Sequence, residues 1–550
     1  MENKSSLYKQ NYELRKENTI LKSKIKKLNM DFSAANCKIK NLESKYNSYV
    51  EKEQQRIEKI ITDAVNEVTT KLKKEYEEVI DGLNAKITKL EKRLNTNSSN
   101  SGIPTSKDRI ETYIPNCREK SKNKIGAPKG HKVHKLEYFK DEEITQIVEH
   151  KLDKCPNCGG KLKEMNIVKS DIIDVRISVI KTRNNIHNYR CEDCKKRISA
   201  NNKLPRGVSY GDNINATALS LLNESNVAYN KITKHISGIS NKEIMMTEGY
   251  LVKLQKKSSK KLDIFINDLK EKILKLKNVY WDDTVVKLQV NNQKEFENKD
   301  SKTSLNKVKN GIIRFYGDDK YALLIGHSKK DKCSIDEDGI LANLPSDCTC
   351  MHDHVLLNYN EEYEYKNAEC NAHVLRYLKG VKDNLHEHTW QDKMSDLLKN
   401  LNDEKKKLLS NKITFFSNDK IEEVYNQYDS IIKLGYEENE QTPDYHFYKD
   451  EELKLIKRLS SFKDNHLLFI KDFTVGFTNN TSEKGLRQCK RKLTTSFMFK
   501  NLNTLRDYAK IISYLETCYR NGITRFDALK RLIDNNAYTI EEISNMSNVV

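Results

Sequence analysis

Two kinds of residue in this chain carry chemistry by type and spacing. The first is cysteine. Cys155-Pro-Asn-Cys158-Gly-Gly and Cys191-Glu-Asp-Cys194 form two C-x2-C pairs. Four thiolates so arranged suit one tetrahedral Zn²⁺, and with no open position the metal would be structural. The second is carboxylate. Asp282 and Asp283 interrupt the apolar stretch NVYWDDTVVKLQV, Asp353 ends another, CTCMHD, and Glu483 opens the basic run EKGLRQCKRK. An acid inside an apolar strand needs a partner, because burying it alone is costly. Carboxylates from two strands and a helix can converge on divalent metal ions, and Mg²⁺ prefers such oxygen ligands together with substrate phosphate. Two such ions suit phosphodiester transfer. Glu483 also has a plainer use. With Asn480 as N-cap it falls at the third helical position, a capping box, and Arg487 lies one turn on for an i,i+4 ion pair.

These residues must be held by regular elements. Residues 278–290 read as a strand, and 311–317 and 321–327 read as two more, joined by a GDDK turn into an antiparallel hairpin. A short helix near 336–344 leads to a strand ending in Asp353, and beyond about residue 373 the chain reads as mostly helical. That order predicts a mixed α/β domain. Between the cysteine pairs, DIIDVRISVI alternates as a strand does, so residues 151–200 are expected to form a zinc ribbon.

The chain has 550 residues, enough for several domains. Lys and Arg exceed Asp and Glu, 98 to 79, a net charge of +19, which favours a polyanionic partner, nucleic acid first. No run of about 18 apolar residues exists, so no membrane span is expected. The start MENKSSLYKQNYEL lacks an apolar leader core, and a cytosolic, nucleoid-associated protein is expected.

Leu7, Leu14, Leu21, Leu28, Ala35, Leu42 and Tyr49 recur every seven residues, with Asn11, Asn18, Ile25, Phe32, Ile39 and Tyr46 three before the last six. This is an a/d heptad pattern, and it predicts a coiled coil that joins two or more copies of the chain. A second stripe holds Val65, Val68, Leu72, Val79, Leu83, Ile87, Leu90 and Leu94, with a drifting period. NTNSSNSGIPTSKD then reads as a linker. Residues 105–135 carry nine Lys/Arg against three Asp/Glu. Within them GAPKGHK supplies Lys129, His131 and Lys132 for contact with DNA phosphate.

Several stretches, in order, resemble transposases of the insertion-sequence-66 family. They are LNTNSSNSGIPTSKD, GAPKGHK, the paired C-x2-C knuckles, LPRGVSYGDNINATALSLL, WDDT, ECNAHVLRYL and FTNNTSEKGLR. The resemblance implies an RNase H-like core and DDE chemistry. Asp282, Asp353 and Glu483 would then be the catalytic acids and the ligands of two Mg²⁺ or Mn²⁺ ions. Cys155, Cys158, Cys191 and Cys194 would hold one Zn²⁺. Lys484, Arg487, Lys490 and Arg491 would join the arm in binding double-stranded DNA, at the transposon ends and at the target. Accessory proteins of the same element are candidate further partners. WDDT carries Asp283 where the family often has Glu, so the choice between Asp282 and Asp283 stays open at this point.

The expected fold is therefore multidomain α with an α/β core. It runs as a dimerising coiled coil (1–94), a linker and basic arm (95–150), the zinc ribbon (151–200) and a helical DNA-binding or connecting region (201–276). The RNase H-like catalytic core follows (277–500), with a helical insertion at about 374–465, then C-terminal helices (501–550). The alternative function is a catalytically inactive DNA-binding protein derived from a transposase, keeping the zinc and the coiled coil.

Overall fold

The computed structural model describes residues 2–50, 56–101, 137–201, 204, 207–290 and 307–546. The basic arm with Lys129, His131 and Lys132 lies outside them. The chain divides into two compact units. One comprises residues 1–115, 210–232 and 248–550, the other 116–209 and 233–247.

The larger unit begins with two long helices, α1 (Glu2–Val50) and α2 (Arg56–Asn95), which pack on each other. Along residues 10–42 of α1 the covered positions are 11, 14, 18, 21, 25, 28, 32, 35, 36 and 39, which is the heptad seam with Asn36 beside it, while Leu42 is exposed. The Phe32 and Tyr76 rings meet edge-on at 5.9 Å. The seam expected to bind a second copy is thus covered by α2 of the same chain. On α2 the covered stripe is Val65, Thr69, Leu72, Tyr76, Ile80, Leu83, Ile87, Leu90 and Leu94, and Val68 and Val79 are exposed. Two successive four-residue steps, 72 to 76 to 80, keep the stripe facing α1 where a strict seven-residue repeat would drift away. Deleting residues 1–94 should therefore leave the number of chains per particle unchanged in sedimentation. A fall in that number would mean that copies share the seam.

The segment after α2 is no loose linker over residues 95–101. Asn100 is buried, and its Nδ2 donates to the Asn95 carbonyl at 2.7 Å and to the Asp383 carboxylate at 3.0 Å. The Asn100 carbonyl sits so close to Gly380 that a Cβ there would lie 2.2 Å from it. Asn and Ser side chains make this possible by bonding nearby backbone groups in place of a ladder.

Four helices follow: α3 (Asp212–Asn223), α4 (Tyr229–Ile239), α5 (Glu248–Lys260) and α6 (Asp263–Ile273). The sheet comprises β3 (Asn278–Val290), β4 (Lys307–Gly317), β5 (Ala322–His327), β6 (Thr349–His352) and β7 (Lys366–Glu369), after β1 (Asn188–Arg190) and β2 (Arg197–Ser199) in the smaller unit. Helix α7 (Lys332–Asp336) lies between β5 and β6. The strand order is β5-β4-β3-β6-β7. The hairpin pairs β3–β4 and β4–β5 are antiparallel, and β3–β6 and β6–β7 are parallel. Between β7 and the last helices come α8 (Asn371–Asn384), α9 (Trp390–Ser410), α10 (Asn418–Gln441), α11 (Lys449–Ser461), α12 (Lys463–His466) and α13 (Leu468–Lys471). They bury Trp390, Met394, Tyr428 and Ile456 in a core shared with Met351 and Ala368 of the sheet. The chain ends in α14 (Asn480–Ser496), α15 (Leu502–Arg520), α16 (Arg525–Ile533) and α17 (Ile540–Met546).

Helices α14 and α15 cover one face of the sheet. Val286 and Leu288 of β3 and Ile313 and Phe315 of β4 pack there with Leu486, Cys489, Leu505 and Tyr508. Gly485 lets α14 come down onto the sheet, since a Cβ there would lie 2.4 Å from the Phe315 ring. The first helix of the expected separate C-terminal region, α15, is thus part of the sheet core, and α16 and α17 pack on α3, α15 and α6. Strand neighbours alternate faces, so the opposite face carries Trp281, which stacks on Tyr316 at 5.9 Å, and Arg314, fully buried and paired with Asp338 at 2.9 Å.

In the smaller unit β1 and β2 form a short antiparallel pair around the second cysteine pair. The strand expected over 171–180 is not formed. Ile172, Ile173, Val175, Ile177 and Ile180 are all exposed. Alternation yields a strand only where a partner strand takes the backbone bonds and something covers the apolar face.

Candidate active site

The central strand β3 places Asp282 and Asp283 on opposite faces. Asp282 lies on the α14 side, with Val286 and Leu288. Asp283 points the other way, where Lys330 Nζ reaches its carboxylate at 2.8 Å. The parallel register pairs Asn278 with Thr349 and Tyr280 with Met351. Continued by two residues, it sets Asp282 beside Asp353, just past the end of β6. Burial first, then the nearby charges of Asp353 and Asp283, push the Asp282 carboxyl up to about 8, against a smaller opposite pull from Lys490. Two carboxylates forced this close favour a bound cation or a retained proton.

Glu483 lies in the first turn of α14, the helix that packs on this face of β3. The capping box expected of it is not made. The helix starts at Asn480, with Asn479 at the N-cap and no side-chain cap bond. The Asn479 side chain is used elsewhere: Nδ2 donates to the Trp281 carbonyl at 2.9 Å, immediately before Asp282. Its backbone N–H donates to Cys370 Sγ at 3.1 Å. Asn479 therefore bolts the start of α14 to β3 and to the N-terminus of α8. The Glu483–Arg487 ion pair is not formed among the described residues.

The basic run splits by helical periodicity. Lys484, Arg487, Lys490 and Arg491 are exposed. Lys492 is buried, donates to the Leu222 carbonyl at 3.2 Å and is pushed down to about 8 by burial. With Gln488, which donates to the Asn223 carbonyl at 3.0 Å, it satisfies the C-terminal end of α3.

Sequence reasoning left His373 out of the site. It lies in the first turn of α8, and its Nδ1 is buried without a hydrogen-bond partner. Burial and then Arg376 lower its pKa, while Asp353 and Glu483 pull the other way, so the ring sits within reach of both acids' charge. The Cys370-x-x-His373 spacing was the available signal. Among the described residues no three His, Cys, Asp or Glu side chains are drawn together tightly enough to hold a metal ion. The acids share a face and a field; they do not form a closed cage.

At the cysteine pairs each C-x2-C makes its own tight turn. Gly159 N–H donates to the Cys155 carbonyl at 2.8 Å, and Gly159 has φ of 74°. The amides of Asn157 and Cys158 lower the Cys155 thiol, and those of Cys194 and Asp193 lower the Cys191 thiol. The two pairs are not gathered into one four-sulfur group here.

The family model described as "Transposase IS66 family" matches residues 207–506, more than half of the chain. The chain belongs to that family. The match takes in α3–α6, the whole sheet, the helical insertion and α14, and so includes every candidate acid. The hairpin of α1 and α2 and the cysteine pairs lie outside it. A transposase-type function and DNA as substrate follow from membership. No curated protein and no solved structure matches the chain. No described helix is long and apolar enough to cross a membrane.

Proposed function

We propose that this transposase cleaves DNA strands at the ends of its element and joins them to a target in a metal-dependent reaction, on an RNase H-like core. The observation that supports the reading is the β3–β6 register, which continued by two residues sets Asp282 beside Asp353, with Glu483 in the first turn of the helix packed on that face of β3. The 3-2-1-4-5 order of the five strands, with the hairpin antiparallel and the rest parallel, fits that core. All three acids offer oxygen, which suits Mg²⁺ or Mn²⁺. The raised Asp282 carboxyl marks a place where a cation relieves repulsion. Bound there, two ions would activate the attacking water or 3′-hydroxyl and offset charge on the leaving oxygen.

The chain's own residues do the remainder. Asn479 fixes Glu483 relative to Asp282. Asp283, on the far face, takes no part. Lys484, Arg487, Lys490 and Arg491 contact phosphates beside the scissile bond, and Lys129, His131 and Lys132 of the basic arm add further phosphate contacts. The site of action is the nucleoid. The test is Mg²⁺-dependent cleavage of DNA carrying the element's ends. Binding without cleavage by the parent would mean an inactive DNA-binding derivative.

We further propose that Cys155, Cys158, Cys191 and Cys194 close on one Zn²⁺, each pair supplying a turn whose amides already point at its first sulfur. Metal analysis of the purified chain should give about one zinc, lost in Cys155→Ser. Zinc removal should unfold the 137–201 segment and leave the sheet intact by amide exchange. Zinc-free protein with unchanged amide protection and unchanged DNA binding would remove the structural role.

A further inference from the structure

Glu369 ends β7 with its side chain fully buried, and four side chains converge on it. Arg458 Nη2 donates to Oε2 at 2.8 Å, and His466 Nδ1 lies 3.3 Å from the same oxygen. His354 Nδ1 and the Tyr359 hydroxyl both meet Oε1. Burial opposes ionisation, yet the bond from His354 and the neighbouring positive charge hold Glu369 well below the usual carboxylate range. His466 is itself pushed down to about 4 by burial, so Arg458 is the lasting counter-charge.

These partners come from two places. His354 directly follows Asp353, and Tyr359 closes the same loop. Within that loop Asn358 Nδ2 donates to the Asp353 carbonyl at 3.0 Å and lies 3.4 Å from its carboxylate. Arg458 and His466 belong to α11 and α12 of the helical insertion. Phe462, between those helices, packs on the Tyr359 ring at 4.4 Å and on the His354 ring at 5.0 Å. Asn465 Nδ2 adds a bond to the Asn367 carbonyl of β7 at 2.8 Å. The loop that carries Asp353 is therefore anchored to the insertion through one carboxylate.

We propose that Glu369 is the positioning residue for Asp353: it locks the 353–359 loop against α11 and α12 and so sets the direction of the Asp353 carboxylate. The helical insertion thereby becomes part of the catalytic apparatus. This rests on the reading of Asp353 as a metal ligand. Outer partners that orient a ligand commonly change metal affinity by about 10–100-fold.

The experiment is a Mn²⁺ titration of the full chain, followed by the paramagnetic signal of free Mn²⁺, for the parent, Glu369→Gln, Tyr359→Phe and Asp353→Asn. Thermal melting and the Mg²⁺ dependence of end cleavage are measured in parallel. Glu369→Gln should weaken Mn²⁺ binding about tenfold or more. It should move the Mg²⁺ requirement upward, with rate recovered at saturating Mn²⁺. Tyr359→Phe, which loses one bond and keeps the ring, should shift both in the same direction by less. A lower melting temperature with parental Mn²⁺ affinity and Mg²⁺ dependence would make Glu369 merely structural and overturn the proposal. If Glu369→Gln does not fold, parental Mn²⁺ affinity in Tyr359→Phe overturns it. If Asp353→Asn also binds Mn²⁺ like the parent, the reading of Asp353 itself fails. If Asp353→Asn loses binding while the other two do not, only the positioning role fails.

Discussion

Asp282→Asn, Asp353→Asn and Glu483→Gln should each lower strand cleavage by on the order of 10³-fold or more, roughly 4 kcal/mol of barrier at about 1.36 kcal/mol per decade. DNA binding should stay within a few-fold of the parent, because it rests on Lys and Arg against phosphate. On the proposed reading, Asp282 and Asp353 of the β3–β6 pair and Glu483 of α14 hold metal ions at the reacting phosphate. Asp283→Asn is the internal control. Asp283 faces away and is paired with Lys330 at 2.8 Å. The Asp283 side chain is nearly buried and only Lys330 is partly exposed, so losing the pair costs on the order of 1–3 kcal/mol of stability, while on the reacting face Asp283 acts only as the lesser of the two charges that raise Asp282. Glu483→Gln is informative because Glu483 does no side-chain capping here: the helix begins at Asn480 with no cap bond. The substitution therefore removes a charge and little else. The measurement is Mg²⁺- or Mn²⁺-dependent nicking of the element's ends, with binding in the same buffer. Parental cleavage by Glu483→Gln would take Glu483 out of the catalytic set, and Asp283→Asn as inert as Asp282→Asn would void the face argument.

The second expected result concerns stability and pH. In the absence of divalent metal, Asp282→Asn should melt at a higher temperature than the parent at pH 8, and the gap should shrink towards pH 5. The carboxyl of Asp282 is raised from an ordinary 3.8 to about 8 by burial and by Asp353 and Asp283. A raised carboxyl binds its proton in the folded state where the unfolded chain has released it. Folding stability is then fully present below about pH 4 and is lost as pH rises through that window to about 8. Asn carries no such penalty. The gap at pH 8 should be on the order of 3 kcal/mol, after discounting the full linkage value for the carboxyl's partial exposure. Mg²⁺ should stabilise the parent at pH 8 and leave Asp282→Asn nearly unmoved. Melting with chelator and with Mg²⁺ at both pH values checks this. An Asp282→Asn variant no more stable than the parent at pH 8 would mean that Asp282 sits comfortably ionised, which a metal ligand held against another acid does not.

Local pattern was enough for much of this chain. The order of WDDT, ECNAHVLRYL and FTNNTSEKGLR carried the family. The alternation of residues 278–290 and 311–327 carried the strands, since a half-covered strand repeats every two residues. Heptads from Leu7 onward carried α1, and the spacing of Cys155, Cys158, Cys191 and Cys194 carried the two tight turns.

Partners were another matter, because periodicity says which face of an element is covered and not by what. The α1 seam reads the same whether a second copy or α2 covers it; only the fold put Tyr76 against Phe32. Lys492 reads like Lys490, yet one is buried against the end of α3 and the other is exposed. Asn480 and Glu483 spell a capping box, but the tertiary bond from Asn479 to the Trp281 carbonyl moved the helix start and left the carboxylate free. Asp282 and Asp283 are equal in sequence and separated by the pleat once α14 chooses a face. That choice, like the meeting of Asp282 with Asp353 and of Glu369 with Arg458, joins residues far apart in the chain. Such pairings are decided by sheet register and core packing, which close long loops and leave no mark on the local pattern.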